Sequence, residues 1–206
     1  RSLLTRGPWS TAPGGRLASH GSALAWWLII ATIPAAIIGL TLEDFVESLF
    51  QSPTAVGAFL LVTALILVLA ERLGRGANGD ERLTLRRAVI MGLGQALALA
   101  PGISRSGTTI SFGLVSGFRR DFAARLSFLM ATPAILGAGI LQLADVARAG
   151  DLAAQLPAML GGFVGALVAG FLCVKFLLAY LRRGKLYPFA VYCALVGLVV
   201  LLEQLF

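Results

Sequence analysis

The 206-residue chain has little charge, a single histidine, two cysteines and no methionine before Met91. Each shortage excludes something. Asp, Glu, Lys and Arg make up 13% of the residues, against about 25% in ordinary soluble domains. Hydrophobic residues reach 58% and mean hydropathy is +0.87, a balance that excludes a water-soluble globule. Cys173 and Cys193 each lie inside an apolar run. They read as small buried hydrophobes, and nothing in their placement offers a disulfide framework or a Cys/His metal spacing. The lone His20 sits in the polar stretch Ala18-Ser19-His20-Gly21-Ser22 and reads as a solvated loop histidine. The late first Met, with no signal-peptide pattern before it, leads us to expect a fragment or a processed chain. Acids are scarcer than bases, 10 against 17, for a net charge of +7. The basic residues form short tracts between apolar runs, as positive-inside bias produces, with no basic stripe interleaved with aromatics. No nucleic-acid partner is expected.

What the chain has in quantity is long uncharged apolar sequence. Residues 23–42, 54–70, 126–144, 152–174 and 186–202 are each long enough, or nearly so, to span a bilayer. They are helical by length and by the need for backbone groups to satisfy one another in lipid. Pro34, Pro133 and Pro157 are read as kinks rather than breaks, and Trp26 and Trp27 as an interfacial belt. Residues 1–22, rich in Gly, Pro, Ser and Arg, read as a polar loop.

A sixth apolar region, 88–118, is broken at its middle by Pro101-Gly102-Ile103-Ser104-Arg105-Ser106-Gly107-Thr108-Thr109. As one helix it would extend about 46 Å, well past a hydrocarbon core of about 30 Å. Two half-length arms that turn back at the breaker fit without overshoot. The flanking charges test this independently. Arg72, Arg75, Arg82, Arg86 and Arg87 precede the region and Arg119, Arg120 and Arg125 follow it, so both ends belong on the cytoplasmic side. The other loops agree. Arg1, Arg6 and Arg16 fall inside, Glu43, Asp44 and Glu47 outside, Asp145, Arg148 and Asp151 outside, Arg182, Arg183 and Lys185 inside, and Glu203 outside. The expected fold is an all-α integral membrane protein. Residues 1–206 form a single membrane domain of five transmembrane helices plus one re-entrant helical hairpin over 85–118.

A charge carried to mid-membrane costs about 2.5–3.5 kcal/mol on insertion scales, so Arg105 is a functional-site candidate by default. Pro101 and Gly102 end the first arm, and Ser104, Ser106, Thr108 and Thr109 stand where the second begins. Free N–H groups, the positive end of a helix dipole and a planar guanidinium together suit an anion, phosphate above all. Any single hydroxyl could instead serve as an N-cap. Glu71 is read as an interfacial ion pair with Arg72 and Arg75, Asp121 as paired with Arg125, and Lys175 as snorkelling.

The run PGISRSGTT, preceded by Met91-Gly92-Leu93-Gly94-Gln95-Ala96-Leu97-Ala98-Leu99-Ala100, resembles the signature of the bacterial undecaprenyl-diphosphate phosphatases, the bacitracin-resistance family. Ile33-Pro34-Ala35, Ala70-Glu71 and Arg125-Leu126-Ser127-Phe128-Leu129 with Pro133 fall in the same order as in that family, so the likeness runs from about Ala23 onward. It implies hydrolysis of undecaprenyl diphosphate to undecaprenyl phosphate and inorganic phosphate, recycling the lipid carrier for cell-wall synthesis. It also implies an inverted-repeat bundle with opposed hairpins in the bacterial plasma membrane. Carried over residue by residue, Arg105, Ser104 and Thr109 match catalytic positions. Gly102, Arg105, Ser106, Gly107, Thr108 and Gln95 match diphosphate-binding positions.

The chain departs from the family in two places. The glutamate-rich segment and Pro-x-Ser-Ser-x-Gly-His run of the family's other hairpin are absent from these residues, and Tyr192-Cys193 stands where Tyr-Arg is more usual. A divalent cation, Mg or Ca, is expected from the family, but its acidic ligands are missing here, so no metal ligand is assigned. The domain is therefore expected to be incomplete at its N-terminus, and this chain alone to be inactive. The expected partners are a polyprenyl diphosphate lipid and the bilayer, with a homo-oligomer left open. A polyprenyl-phosphate flippase or anion transporter using the same hairpin is the alternative, and a histidine-dependent lipid phosphatase is disfavoured by the lone His20.

Overall fold

The computed structural model describes residues 17–74, 83–150 and 152–205, with side chains described outside 17–24 and 152–154. The described residues form eight helices: α1 (Leu17–Thr41), α2 (Glu43–Phe50), α3 (Pro53–Leu73), α4 (Leu85–Leu97), α5 (Arg105–Val115), α6 (Arg120–Arg148), α7 (Leu152–Leu181) and α8 (Tyr187–Glu203). There is no strand among them. Local chemistry sets several boundaries. Ser52 caps α3, accepting the Ala55 N–H at 3.3 Å, and Pro53 stands at the first helical position, where its missing N–H costs nothing. Thr84 caps α4 in the same way. After α5 the N–H of Gly117 returns to Leu114 O and that of Phe118 to Gly113 O, the paired bonds of a Schellman ending.

All five long apolar stretches are helical, and Pro34, Pro133 and Pro157 lie within continuous helices. By length and composition, α3, α6 and α7 can each cross a membrane. The described part of α1 does so only together with α2, to which it is bent by 79°, and α8 is a shorter apolar helix of 17 residues. The expected polar loop over 1–22 is shorter than that, because α1 begins at Leu17; residues 1–16, with Arg1, Arg6 and Arg16, lie outside the described residues, as do Arg75, Arg82 and Asp151. The acidic tract at Glu43 is not loop but α2, with Glu43 and Asp44 in its first turn, where carboxylates favour the helix dipole.

The core lies where α3, α4, α5 and the first half of α6 meet. Met91, Leu67, Leu126, Met130, Phe118 and Phe122 are buried there, and the Phe118 and Phe122 rings sit 5.1 Å apart. Helix α3 packs along α8 through small residues: a Cβ on Gly197 would stand 2.9 Å from the Gly57 carbonyl oxygen, a close approach of the kind that joins helices where lipid offers no hydrophobic drive. Cys193 is buried in this region but Cys173 on α7 is exposed, so only one of the two cysteines fills a core position. From Gln155 onward most of α7 presents apolar side chains outward, among them Phe163, Leu167 and Phe171. In water such a surface would be anomalous.

Helices α4 and α5 form an antiparallel hairpin. A Cβ on Gly94 would meet Phe112 at 2.9 Å, and Met91 Cε lies 3.5 Å from the Cβ position of Gly113. The arms have 13 and 11 residues, about 20 and 16 Å. The first arm ends at Leu97, earlier than Pro101 and Gly102 had suggested, and the turn continues through i to i−3 bonds from Ala98, Leu99 and Ala100.

Candidate active site at the hairpin tip

Two features of Gly102 place the tip. Its φ of +84° lies in the left-handed region that glycine occupies at little cost, and a Cβ there would stand 2.4 Å from the Val56 carbonyl oxygen on α3. Thr63 then fastens the turn: its hydroxyl donates to Gly102 O at 2.9 Å and accepts the Ser104 N–H at 3.2 Å. Thr63 is the central residue of the 21-residue α3 and Gly102 also abuts Val56 and Leu60, so the hairpin turns back between the first third and the middle of that helix. Its bases lie near the other end of that helix, where the Cβ position of Gly74 is 3.2 Å from Leu114 Cβ and the Arg87 guanidinium stacks 4.9 Å over the Phe118 ring. Thr63 was not singled out in the sequence. A hydroxyl midway along an uncharged span was the available signal. Replacing it with Val is expected to cost about 1–3 kcal/mol, since it strips a partner from two part-buried backbone groups. Amide exchange at Ser104 checks this, and unchanged protection would refute the bracing role.

The hydroxyls of the motif divide by task. Ser104 is the N-cap of α5, accepting the Gly107 N–H at 3.2 Å. Thr109 donates to the carbonyl of Arg105 at 2.7 Å, and Ser111 to that of Gly107 at 2.7 Å. The cap uses one of the orphan donors at the helix start, and Thr108 N–H is taken by Ser104 O. The N–H groups of Arg105 and Ser106 keep no acceptor among the described residues. Arg105, the first residue of α5, is partly buried, and its guanidinium has no partner among them either. Free N–H donors, the dipole and an uncommitted fork stand together, a set suited to phosphate oxygens.

The sequence-derived residues do not form one cluster. At about 100° per residue, Arg105, Thr108 and Thr109 share one side of α5, and Ser106, Gly107 and Ile110 the other. On the latter side lies a cavity of about 400 Å³, polar at the tip where Gly102, Ser104, Ser106 and Gly107 line it. Elsewhere its wall is apolar, with Leu60 and Leu67 from α3, Leu177 and Leu181 from α7, and Phe189 from α8. Arg105, Thr108, Thr109 and Gln95 do not line it. Gln95 is 3% exposed with both amide atoms unpartnered, and the buried Thr108 hydroxyl is unpartnered as well. An unmade bond at such a group costs about 1–3 kcal/mol, so these two side chains hold unspent hydrogen-bonding capacity beside the tip.

The ionic partners also differ from those expected. Glu71, whose side chain is 2% exposed, is gripped by Arg120 through Nε at 3.1 Å and a shorter Nη2 contact. It also accepts the Leu186 N–H at 3.1 Å. Its neighbour Arg72 is not its partner, since adjacent helical residues do not face one another, and the expected pairing with Arg75 lies outside the described residues. Asp121 pairs with Arg119 at 3.3 Å rather than with Arg125. Lys175 lies within α7, which continues past the expected end at Val174.

Among the described residues no group of three or more His, Cys, Asp or Glu side chains is placed to hold a metal ion. The described residues therefore offer no ready set of ligands for the divalent cation that the resemblance implies, and no step is derived through one.

This geometry accompanies a family likeness over nearly the whole chain. The profile of "Bacitracin resistance protein BacA" matches residues 3–199. The chain is 46% identical over 183 residues to an undecaprenyl-diphosphatase of Methanobrevibacter smithii, covering 88% of this chain and 65% of that protein. It is 46% identical over 181 residues to one of Methanothermobacter thermautotrophicus, covering 86% and 99% respectively. A third, from Geobacter sulfurreducens, is 44% identical over 184 residues, covering 89% and 68%. The chain thus spans just under two thirds of the length of the first of these relatives and nearly all of the second. With its signature run folded into a capped helix start that is braced at the middle of α3, the chain belongs to the bacitracin resistance protein BacA family.

Proposed function

We propose that the chain supplies the diphosphate-binding hairpin of an undecaprenyl-diphosphate phosphatase. The observation that carries this reading is the meeting of an anion-suited helix start with the end of a 400 Å³ apolar groove, which matches a substrate that joins a diphosphate to a long hydrocarbon. The names of the relatives point to the same substrate. The N–H groups of Arg105 and Ser106 and the Arg105 guanidinium hold phosphoryl oxygens and stabilise the charge that develops on them as the P–O–P anhydride opens. Ser104 holds the helix start in place, and Thr109 does the same for the first turn. Gln95 and Thr108, buried away from the groove, are not given a contact with the bound diphosphate.

In the membrane, the reading is five crossings by α1, α3, α6, α7 and α8 with α4 and α5 as a re-entrant pair. Support comes from the tip lying partway along α3 and from Arg72, Arg86, Arg87, Arg119, Arg120 and Arg125 flanking the hairpin, which favours a base toward the cytoplasm of the plasma membrane.

The described residues bring no acidic cluster to the tip. These 206 residues by themselves are therefore expected to release no phosphate from undecaprenyl diphosphate in proteoliposomes. Joined to the portion of the M. smithii relative that they do not match, they are expected to release it. Release by the chain alone would show that no further acidic group is needed. Lipid movement between leaflets by the joined protein, without phosphate release, would replace the phosphatase reading with that of a flippase.

A further inference from the structure

A second cavity, of about 220 Å³, lies between the start of α6 and the short connection from α7 to α8. Five cations line it, Arg119, Arg120, Arg182, Arg183 and Lys185, against one carboxylate, Asp121. Two of the five are committed: Arg119 to Asp121, and Arg120 to Glu71. Lys185 lies in the field of that same Glu71. Arg182 and Arg183 have no ion-pair or hydrogen-bond partner for their guanidinium groups among the described residues.

Positive-inside bias accounts for basic residues at this end of the bundle, and the C-terminus of α7 favours a cation or two nearby. Neither accounts for five converging on one concavity from segments far apart in sequence. Like charges gathered around a hollow repel one another. A multi-oxygen anion relieves that repulsion, and the guanidinium fork matches phosphate in particular.

The apolar groove indicates what the anion is attached to. Leu181 lines both cavities, so the hydrocarbon wall of the first continues to the charged rim of the second. Leu186, also in that wall, is tied through its N–H to Glu71, eight residues along α3 from Thr63 and so about 12 Å from the tip level. The groove therefore has two polar ends, the hairpin tip and this basic cavity.

We propose that the basic cavity is a second anion site, which takes the phosphate group of an anionic lipid whose chain lies toward Leu181. This proposal does not rest on the phosphatase reading, and its readout is binding rather than turnover. The shared chemistry is a phosphate group, available from a lipid headgroup or as the free ion.

The test places the 206-residue chain in phosphatidylcholine nanodiscs and titrates in either phosphatidylglycerol or inorganic phosphate, with bound ligand counted by native mass spectrometry. Saturable retention of phosphatidylglycerol is expected. The R182Q/R183Q variant should weaken it about 10- to 30-fold, from roughly 1 kcal/mol per basic residue. R72Q/R86Q removes the same charge from exposed positions outside the cavity and should weaken it less than about 2-fold. R182K/R183K, which keeps the charge but loses the fork, should weaken binding less than R182Q/R183Q does, and residual saturable binding shows that the connection still folds. Saturable binding of inorganic phosphate alone, with the same dependence on Arg182 and Arg183, supports the phosphate site and makes the free ion its ligand. Equal losses in the two Gln doubles, or no saturable binding of either probe, would overturn the proposal.

Discussion

Arg105→Lys is expected to lower phosphate release about 100- to 1,000-fold in the joined protein, the range seen when one donor to a developing oxyanion is removed. The reason is geometric. Lysine keeps the charge but loses the planar fork, and a compact ammonium cannot give two parallel bonds to one phosphoryl group. Stability should barely move, by less than about 0.5 kcal/mol, because the Arg105 guanidinium has no partner among the described residues whose loss would be felt. Loss of turnover with an unchanged melting temperature is thus the expected pair of results. Near-normal turnover would remove Arg105 from the diphosphate site. A parallel fall in melting temperature would make it a structural residue.

Glu71→Gln should do the reverse. The Glu71 carboxylate ties the end of α3 to Arg120 at the start of α6 and to the Leu186 N–H before α8. Its side chain is 2% exposed and that of Arg120 32%. Removing one partner of a buried pair typically costs about 3–5 kcal/mol; with Arg120 partly open to solvent the lower end is expected, about 3 kcal/mol. Replacing both by apolar residues, Glu71→Leu with Arg120→Met, should recover a good part of the loss, since no uncompensated charge is left behind. Thermal unfolding of the single and double variants in one detergent measures this. A double variant that is destabilised by the sum of the two singles would show that the pair contributes nothing through mutual charge.

These two residues also show how far the sequence could be read. Arg105 stands out because of its surroundings in the chain: a breaker, hydroxyls and one charge inside an apolar region. That signal is local, and the structure places the residue at the start of a short helix, as the pattern suggested. Glu71 stands out far less. Its adjacent arginines made an easy pairing on paper, yet its partner is 49 residues away. The hydroxyls follow the same logic. Ser104, Thr108 and Thr109 read alike in a string, but in the helix one is a cap, one is buried without a partner and one is bonded to the carbonyl four residues back. Thr63 was passed over because a lone hydroxyl in an apolar span does not say what it touches, here Gly102 and Ser104.

By itself the sequence determined that the chain is helical and apolar, where its long helices lie, and that 85–118 breaks near its middle, though the first arm already ends at Leu97. These follow from hydropathy, breakers and charge placement, all of which act over a turn or two of chain. Only the tertiary structure decided which side of α5 faces the groove, that Thr63 at the middle of α3 holds the tip, and that five cations surround one cavity. Those outcomes depend on helical phase, where a step of about 100° separates neighbours onto different faces, and on contacts between segments that the sequence keeps far apart.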